Sequence, residues 1–131
     1  MTPETSASTQ QTVATPGGAA RVLEFKGRLT FSEQSEQHFA ELRRYIEEGA
    51  RTFVFDLRQV PDVDSAGLGF LVTCLTTAQR AGAELRLAAP SNRVLYALLI
   101  TKLDAIFPVF ETVEAALQWD MAPALSGTKT G

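Results

Sequence analysis

The sequence predicts a single α/β domain, built on a mixed sheet of four to five strands with about four helices. Its 131 residues, 45% of them hydrophobic, are enough for one buried core. Segments that read as strands alternate with segments of helical spacing over short connections, which indicates parallel strand pairs with right-handed crossovers. The segment 52–57 is apolar on both faces, as is typical of a central strand covered on both sides.

The first part of the chain predicts an antiparallel strand pair followed by a helix. A weak strand signal at residues 12–15 and a Pro-Gly-Gly turn precede a strand over residues 22–29, whose apolar and polar residues alternate as in a half-exposed strand. Thr30 and Glu33 have the spacing of a capping box, which predicts that the first helix starts there. The buried stripe of this helix is predicted to comprise Phe39, Leu42 and Ile46.

A second helix is predicted directly after the turn at Asp64 and Ser65. It should end before Gly82, because glycine commonly follows the last helical turn. A short strand with alternating apolar residues comes next. The buried face of the second helix is predicted to comprise Leu68, Leu71, Val72, Leu75 and Gln79.

The last part of the chain predicts a helix, a strand and a final helix. Ser91 is the expected N-cap of the third helix, and Thr112 is the expected N-cap of the fourth. Residues 105–110 between them read as a short strand. The third helix is predicted to bury Val94, Leu95, Leu98 and Leu99.

Composition and charge argue against several classes of partner. The net charge is -3 and the twelve basic residues are scattered, so we expect no binding to nucleic acid or to an anionic membrane. The single cysteine, Cys74, indicates a packed thiol in a reducing compartment, and no segment reads as a secretory signal or a membrane span. We therefore expect a cytoplasmic protein without direct membrane insertion, a monomer or a weak dimer. Residues 1–11 and 120–131 predict disordered tails around a domain of residues 12–119.

The stretch from Asp64 to Gly69 carries the strongest functional signal. It places the hydroxyl of Ser65 at the start of a helix, where unpaired N–H groups and a partial positive charge favour a phosphate. Phosphorylation there would add roughly two negative charges at an exposed corner without unfolding the helix. A simpler interpretation is that Asp64 or Ser65 only caps the helix, and that the glycines let it lie close to the sheet. The residues alone leave both interpretations open.

Catalytic and cofactor chemistry finds little support in the sequence. A nucleophile elbow requires glycine two residues before the serine, and Val63 stands there. His38, the only histidine, is expected to be a surface or boundary residue, which argues against a Ser-His-Asp arrangement of Ser65, His38 and either Asp56 or Asp64. One histidine and one cysteine provide no metal-ligand cluster. We therefore predict no enzyme activity, no metal and no cofactor.

Several segments resemble the STAS domains of bacterial anti-sigma-factor antagonists. Residues 53–57, the loop after them, and Asp64-Ser65-Ala66-Gly67-Leu68-Gly69 resemble the signature of that family. Three further segments are similar to parts of the family pattern. Gly27-Arg28-Leu29 resembles the family's Gly-x-Leu strand end, residues 81–85 resemble its helix-to-strand step, and residues 112–117 resemble its last helix. The resemblance covers about residues 12–118.

The resemblance implies a phosphorylation switch. In this family the serine directly after the aspartate, here Ser65, is phosphorylated by a kinase that is also the anti-sigma factor. The unphosphorylated chain is then expected to bind this anti-sigma factor serine kinase and to free its sigma factor. The phosphorylated chain is expected to dissociate from the kinase, and a phosphatase acting on phospho-Ser65 is expected to restore the binding form. Two residues depart from the family pattern: Ala66, where many members have Ser or Thr, and Thr30, where many have an acidic residue.

The expected partner surface combines the loop before the second helix, the start of that helix and the turn after the second strand. Its residues are Thr30, Phe31, Ser32, Asp62, Val63, Asp64, Ser65, Ala66, Gly67 and Leu68. An alternative is a non-catalytic STAS subunit of a lipid-transport or stress-signalling scaffold assembly, since such subunits share the fold. A small hydrolase that uses Ser65 would be labelled by a serine-directed fluorophosphonate, and we expect no labelling.

Overall fold

A computed structural model describes residues 10–15 and 18–118, and within them an α/β sandwich confirms the predicted fold class. The five strands lie side by side in chain order, with the first antiparallel to the second and the other neighbours parallel. The strands are β1 (Gln10–Thr15), β2 (Gly18–Lys26), β3 (Thr52–Gln59), β4 (Glu84–Ala88) and β5 (Val109–Phe110). The helices are α1 (Glu33–Glu47), α2 (Ser65–Arg80), α3 (Asn92–Ile100) and α4 (Val113–Gln118).

Alternate residues of the central strands point to opposite faces of the sheet. Phe53 and Phe55 of β3 join the main core beneath α1, α2 and α3, whereas Val54 faces α4. Val22 of β2 is also buried against this second layer, although the alternation of β2 assigned it to the exposed face. Lys26 and Arg28 on the same face are exposed as predicted, so the correction concerns only the start of this face.

The predicted start of α1 is wrong by two residues. Ser32, not Thr30, is the N-cap, and it forms a capping box with Ser35: each serine oxygen accepts a hydrogen bond from the other residue's amide. Thr30 does not cap α1, because its hydroxyl instead donates a hydrogen bond to the carboxylate of Asp64, 34 residues later in the chain. A long-range contact therefore replaces the local cap that the spacing indicated.

Three further predictions about the helices and strands need correction. Gln79 is exposed, because the buried face of α2 is rotated toward Phe70, Cys74 and Ala78. Leu99 was predicted to be buried but is 49% exposed. The fully buried residues of α3 are Val94 and Leu98. Residues 105–110 are not one strand: a 3-10 turn, Leu103–Ala105, precedes β5, which has two residues.

The caps of the later helices agree with the sequence. Ser91 accepts a hydrogen bond from the Val94 amide at the start of α3, and Thr112 accepts one from the Ala115 amide at the start of α4.

At the other end of the chain, β1 begins at Gln10, within the segment predicted as a tail. The remaining predicted tail residues lie outside the described ranges. In those ranges no helix has the length and apolar character needed to cross a membrane.

Cys74 should be nearly inert while the protein is folded. It is fully buried in the main core, and this burial raises the pKa of its thiol, so the reactive thiolate is scarce. We expect a thiol reagent to modify the folded protein at least about a hundredfold more slowly than the denatured protein. Reaction rates measured with and without denaturant test this, and similar rates in the two conditions would contradict the burial of the thiol.

Candidate functional site

The turn after β2 is joined to the loop after β3 by backbone hydrogen bonds. The Leu29 amide donates to the Asp62 carbonyl over 3.0 Å, and the Asp64 amide donates to the Leu29 carbonyl over 3.2 Å. Leu29 and Val63 thereby form a parallel bridge that extends the β2–β3 pairing beyond the strand ends. Two segments more than 30 residues apart in sequence thus form one continuous surface at this edge of the sheet.

Asp64 connects this surface to the start of α2. It is the N-cap of the helix, and its carboxylate accepts hydrogen bonds from the Gly67 amide at 2.8 Å and from the Thr30 hydroxyl at 2.5 Å. The bond from Thr30, and after it the bond from Gly67, hold the pKa of the Asp64 carboxyl below its ordinary value. The aspartate is therefore an ionised structural cap whose oxygens are already engaged.

Gly67 is buried because α2 passes directly over the Leu29 backbone. A β-carbon at this position would lie 2.7 Å from the Leu29 carbonyl carbon and 2.8 Å from a methyl group of Val63, and nearer still to the Leu29 oxygen. Only glycine allows this approach. Gly67 was predicted to be part of the partner surface, but its position beneath that surface indicates an internal role.

Ser65 is the first residue of α2, and its side chain is exposed. Asp64, directly before it, satisfies the cap, so the Ser65 hydroxyl is not required for that purpose. Ala66 beside it is also exposed and offers no second hydroxyl. The site thus presents an accessible hydroxyl on a helix start that is stabilised by other groups, a geometry open to modification by an enzyme.

An apolar groove of about 390 Å³ lies next to Ser65, between α1 and α2. Phe31 forms one of its walls and is 67% exposed, although it is a large aromatic side chain. The groove is lined by Phe31, Ser35, Glu36, Phe39, Ala66, Phe70 and Thr73. The partner surface predicted from sequence included Phe31 and Ala66 but missed the other lining residues. Helical spacing assigned Phe39 to a buried stripe and gave no sign that a groove would open beside it.

The structure brings the predicted surface residues together with different degrees of exposure. Phe31, Ser65 and Ala66 are exposed, and Gly67 alone is buried. The others are partly exposed: Thr30, Ser32, Asp62, Val63, Asp64 and Leu68. A partner that approaches this edge of the sheet would therefore meet residues from both joined loops and from the first turn of α2.

His38 is buried, so the prediction that it is a surface or boundary residue is wrong. Its position also rules out the Ser-His-Asp arrangement. Its two ring nitrogens lie 2.8 Å from the Gln34 carbonyl oxygen and 2.9 Å from the Glu24 carbonyl oxygen. Its ring also stacks on Phe25, with 4.0 Å between centroids. Because His38 is buried in the core and its ring nitrogens face these carbonyl oxygens, it is not placed to act as a base toward the exposed Ser65. It links β2 to α1.

The other groups considered for chemistry also have structural partners. Asp56 is buried and accepts a bidentate pair of hydrogen bonds from the Arg58 guanidinium, from Nε to Oδ1 at 3.0 Å and from Nη2 to Oδ2 at 2.7 Å. Asp64 serves as the cap described above. No group of three side chains suited to holding a metal ion occurs in residues 10–15 and 18–118.

Thr30→Val should lower the unfolding temperature at neutral pH, and the difference from wild type should shrink in acid. A carboxyl whose pKa is lower in the folded than in the unfolded protein stabilises the fold above its unfolded pKa. That contribution disappears as the pH falls through the folded value. The valine variant lacks the hydroxyl that contributes most to the lowered pKa of Asp64, so it has less stability to lose.

Thermal unfolding followed by circular dichroism from about pH 7 to about pH 2.5 measures this difference. Thr30→Ser is the matched control, because it keeps the hydroxyl and should follow the wild-type pH profile. A valine variant with the wild-type unfolding temperature at every pH would contradict the role assigned to the Thr30–Asp64 hydrogen bond.

Comparison with known proteins identifies the fold family. The family description "STAS domain" matches residues 10–116, which include all five strands that the structure describes and most of α4. The chain belongs to the STAS domain family. The site around Ser65 is therefore the corner of a STAS domain at which the β2 turn, the β3 loop and the start of α2 meet.

A sequence relative and two solved structures illustrate the similarity. A protein of Thermotoga neapolitana, named as a homologue of the anti-sigma factor antagonist TM1081, is 31% identical over 74 residues, 56% of this chain and 66% of the relative. The chain thus spans just under two thirds of that relative. Unphosphorylated SpoIIAA, an anti-sigma factor antagonist, superposes with a TM-score of 0.67 at 19% identity, over 84% of this chain and 92% of SpoIIAA. The phosphorylated form of Bacillus SpoIIAA superposes with a TM-score of 0.63 at 20% identity, over 84% of this chain and 96% of the SpoIIAA chain.

Proposed function

We propose that this STAS domain is an anti-sigma factor antagonist that works by phosphorylation-controlled partner switching, with Ser65 as the switch residue. The observation that carries the proposal is the exposed Ser65 hydroxyl at a helix start that Asp64 already caps. The relative named as an anti-sigma factor antagonist homologue supports the same function, as does SpoIIAA, which is solved with and without phosphate. On this proposal the chain acts by binding and has no catalytic activity of its own.

The geometry allows phosphorylation to change binding without changing the fold. A phosphate on the first residue of α2 lies near unpaired helical N–H groups and the positive end of the helix dipole, both of which favour negative charge. Because Asp64 forms the cap, modification of Ser65 breaks no hydrogen bond that starts the helix. The added charge, roughly two units, instead projects toward a bound partner.

The proposed cycle has two states. The unphosphorylated chain binds an anti-sigma factor serine kinase through the surface around Ser65 and the neighbouring Phe31 groove, and the sigma factor is released. After the kinase phosphorylates Ser65, like charges and the desolvation of the phosphate oppose the contact, so the complex dissociates. A phosphatase acting on phospho-Ser65 restores the binding form. The cycle places the protein in the cytoplasm, where sigma factors act.

Incubation of the purified protein with ATP and a candidate anti-sigma factor serine kinase of the same organism tests the proposal. Mass spectrometry should find one phosphate, on Ser65, and none in Ser65→Ala. Thr76→Ala is the matched control, because Thr76 carries an exposed hydroxyl on the same helix, about three turns from Ser65, and its loss should not affect labelling. Phosphate at another residue would contradict the proposal. Stable co-purification with a membrane ATPase or scaffold, without phosphorylation, would favour the scaffold alternative.

A further inference from the structure

His38 lies in the core with a carbonyl oxygen beside each of its two ring nitrogens. The Nδ1 atom is 2.8 Å from the Gln34 carbonyl oxygen on α1, and the Nε2 atom is 2.9 Å from the Glu24 carbonyl oxygen on β2. Both separations are within the range of N–H···O hydrogen bonds. A carbonyl oxygen can only accept a hydrogen bond, so each ring nitrogen has to donate one for both contacts to be favourable.

A neutral imidazole ring cannot meet this requirement. It carries one N–H group, and its other nitrogen presents a lone pair that would face the lone pairs of a carbonyl oxygen. The imidazolium ring carries an N–H group on both nitrogens and can donate to two carbonyl groups at once. The number of protons on His38 therefore decides whether the ring holds one backbone segment or two.

The surroundings of the ring suit a positive charge that is shared between two carbonyl groups. The His38 ring stacks on Phe25, with 4.0 Å between centroids and 19° between planes, and the face of an aromatic ring attracts a cation. The register of β2 and β3 shifts between Glu24 and Lys26, which marks a bulge beside the carbonyl group that Nε2 contacts. His38 thus meets β2 where the regular strand pairing is interrupted.

Few other charges face His38 from the elements around it. In the part of the chain that the structure describes, its ring forms no ion pair with a carboxylate. The core faces of β2 and β3 are apolar, because Glu24 and Asp56 alternate onto the opposite layer. The titratable groups on the core side of the neighbouring helices are Cys74 on α2 and Glu41 and Tyr45 on α1. Burial raises the pKa of the Cys74 thiol, so this group is uncharged.

We infer that His38 is a proton-dependent link between β2 and α1, so that pH changes how firmly the first half of α1 is held on the sheet. With both nitrogens protonated, the ring ties the Glu24 carbonyl group to the Gln34 carbonyl group. After the loss of one proton, the ring keeps one of these hydrogen bonds and turns away from the other carbonyl group. Phe39, the next residue, lines the Phe31 groove, so movement of this part of α1 would change the groove.

Nuclear magnetic resonance of the full chain, with isotopically labelled histidine, tests the link. His38 is the only histidine, so its ring signals are unambiguous. Between about pH 5 and about pH 8, the range in which histidine side chains commonly titrate, the ring should change from two N–H groups to one. Couplings across the hydrogen bonds should connect the ring to both carbonyl groups in the first state and to one in the second.

Hydrogen exchange of the backbone amides measures the effect on α1. Protection of the amides in the first half of α1, relative to an unfolded peptide at the same pH, should fall at least about threefold as the ring loses its proton. The amides of α3, a helix that His38 does not contact, should keep their protection.

His38→Gln is the matched control, because glutamine has no titratable group and its α1 protection should not change over this pH range. The ring couplings and the protection in the wild type decide the matter even if this variant does not fold. A ring that keeps a single N–H group throughout the range would overturn the link. So would a ring that gains its second proton without any change in the couplings or in α1 protection, or a folded His38→Gln variant with the pH dependence of the wild type.

Discussion

Gly67→Ala should destabilise the domain by about 3 kcal/mol, because the added methyl group would overpack the place where α2 lies against the Leu29 backbone. The new β-carbon would meet the Leu29 backbone and a methyl group of Val63, and neither can retreat easily. Leu29 is held by hydrogen bonds to Asp62 and Asp64, so the helix would have to shift away from the joined loops. Urea denaturation of the variant and the wild type measures the difference.

Gly69→Ala provides a control two residues along the same helix. A β-carbon there has no neighbour within 4 Å, and alanine favours the helix over glycine by up to about 1 kcal/mol. This variant should therefore be as stable as the wild type or slightly more stable. If both alanine variants were equally stable, the close approach of α2 to Leu29 would not exist in solution.

Ser65→Asp should weaken binding to the anti-sigma factor roughly a hundredfold, the largest effect on affinity expected from a single substitution in the proposed switch. The carboxylate introduces negative charge at an exposed position next to the partner, but it leaves the Asp64 cap in place. Ser65→Ala should bind as well as the unmodified wild type, because the hydroxyl itself is not needed for the cap. Calorimetry with the same partner measures all three affinities.

Ser65→Asn separates charge from size. Asparagine has nearly the shape of aspartate but no charge, so it should retain most of the affinity if electrostatic repulsion drives release. Circular dichroism should show that each variant unfolds at a temperature near that of the wild type, since the Ser65 side chain is exposed and Asp64 forms the cap. Equal affinities of the aspartate variant and the wild type would contradict the proposed mechanism.

Signals that depend on neighbouring residues in sequence predicted this fold well. Ser91 and Thr112 cap their helices as expected, and Asp64 caps α2, because an N-cap needs only the amides of the next turn. The doubly apolar run in β3 indicated a central strand, and Phe53–Leu57 proved to be buried throughout. These local rules sufficed to place Ser65 at a helix start.

The errors arose where a distant contact overrides a local pattern. Thr30 had capping-box spacing, but its hydroxyl is engaged by Asp64 on another loop. His38 has the polarity of a surface residue, but it is buried in the core, with carbonyl oxygens of α1 and β2 beside its two ring nitrogens. The groove beside Phe31 likewise depends on how α1 and α2 pack. Neither the spacing of residues nor their individual character carries this information.

The central claim is that the charge on Ser65 decides whether this domain displaces a sigma factor from its inhibitor. A direct measurement starts from the purified complex of sigma factor and anti-sigma factor, with the sigma factor carrying a fluorescent label. Size-exclusion chromatography then follows the label after addition of the unphosphorylated protein or the protein phosphorylated on Ser65. The account predicts that the unphosphorylated protein releases free sigma factor and that the phosphorylated protein does not. Equal release by both forms would contradict it.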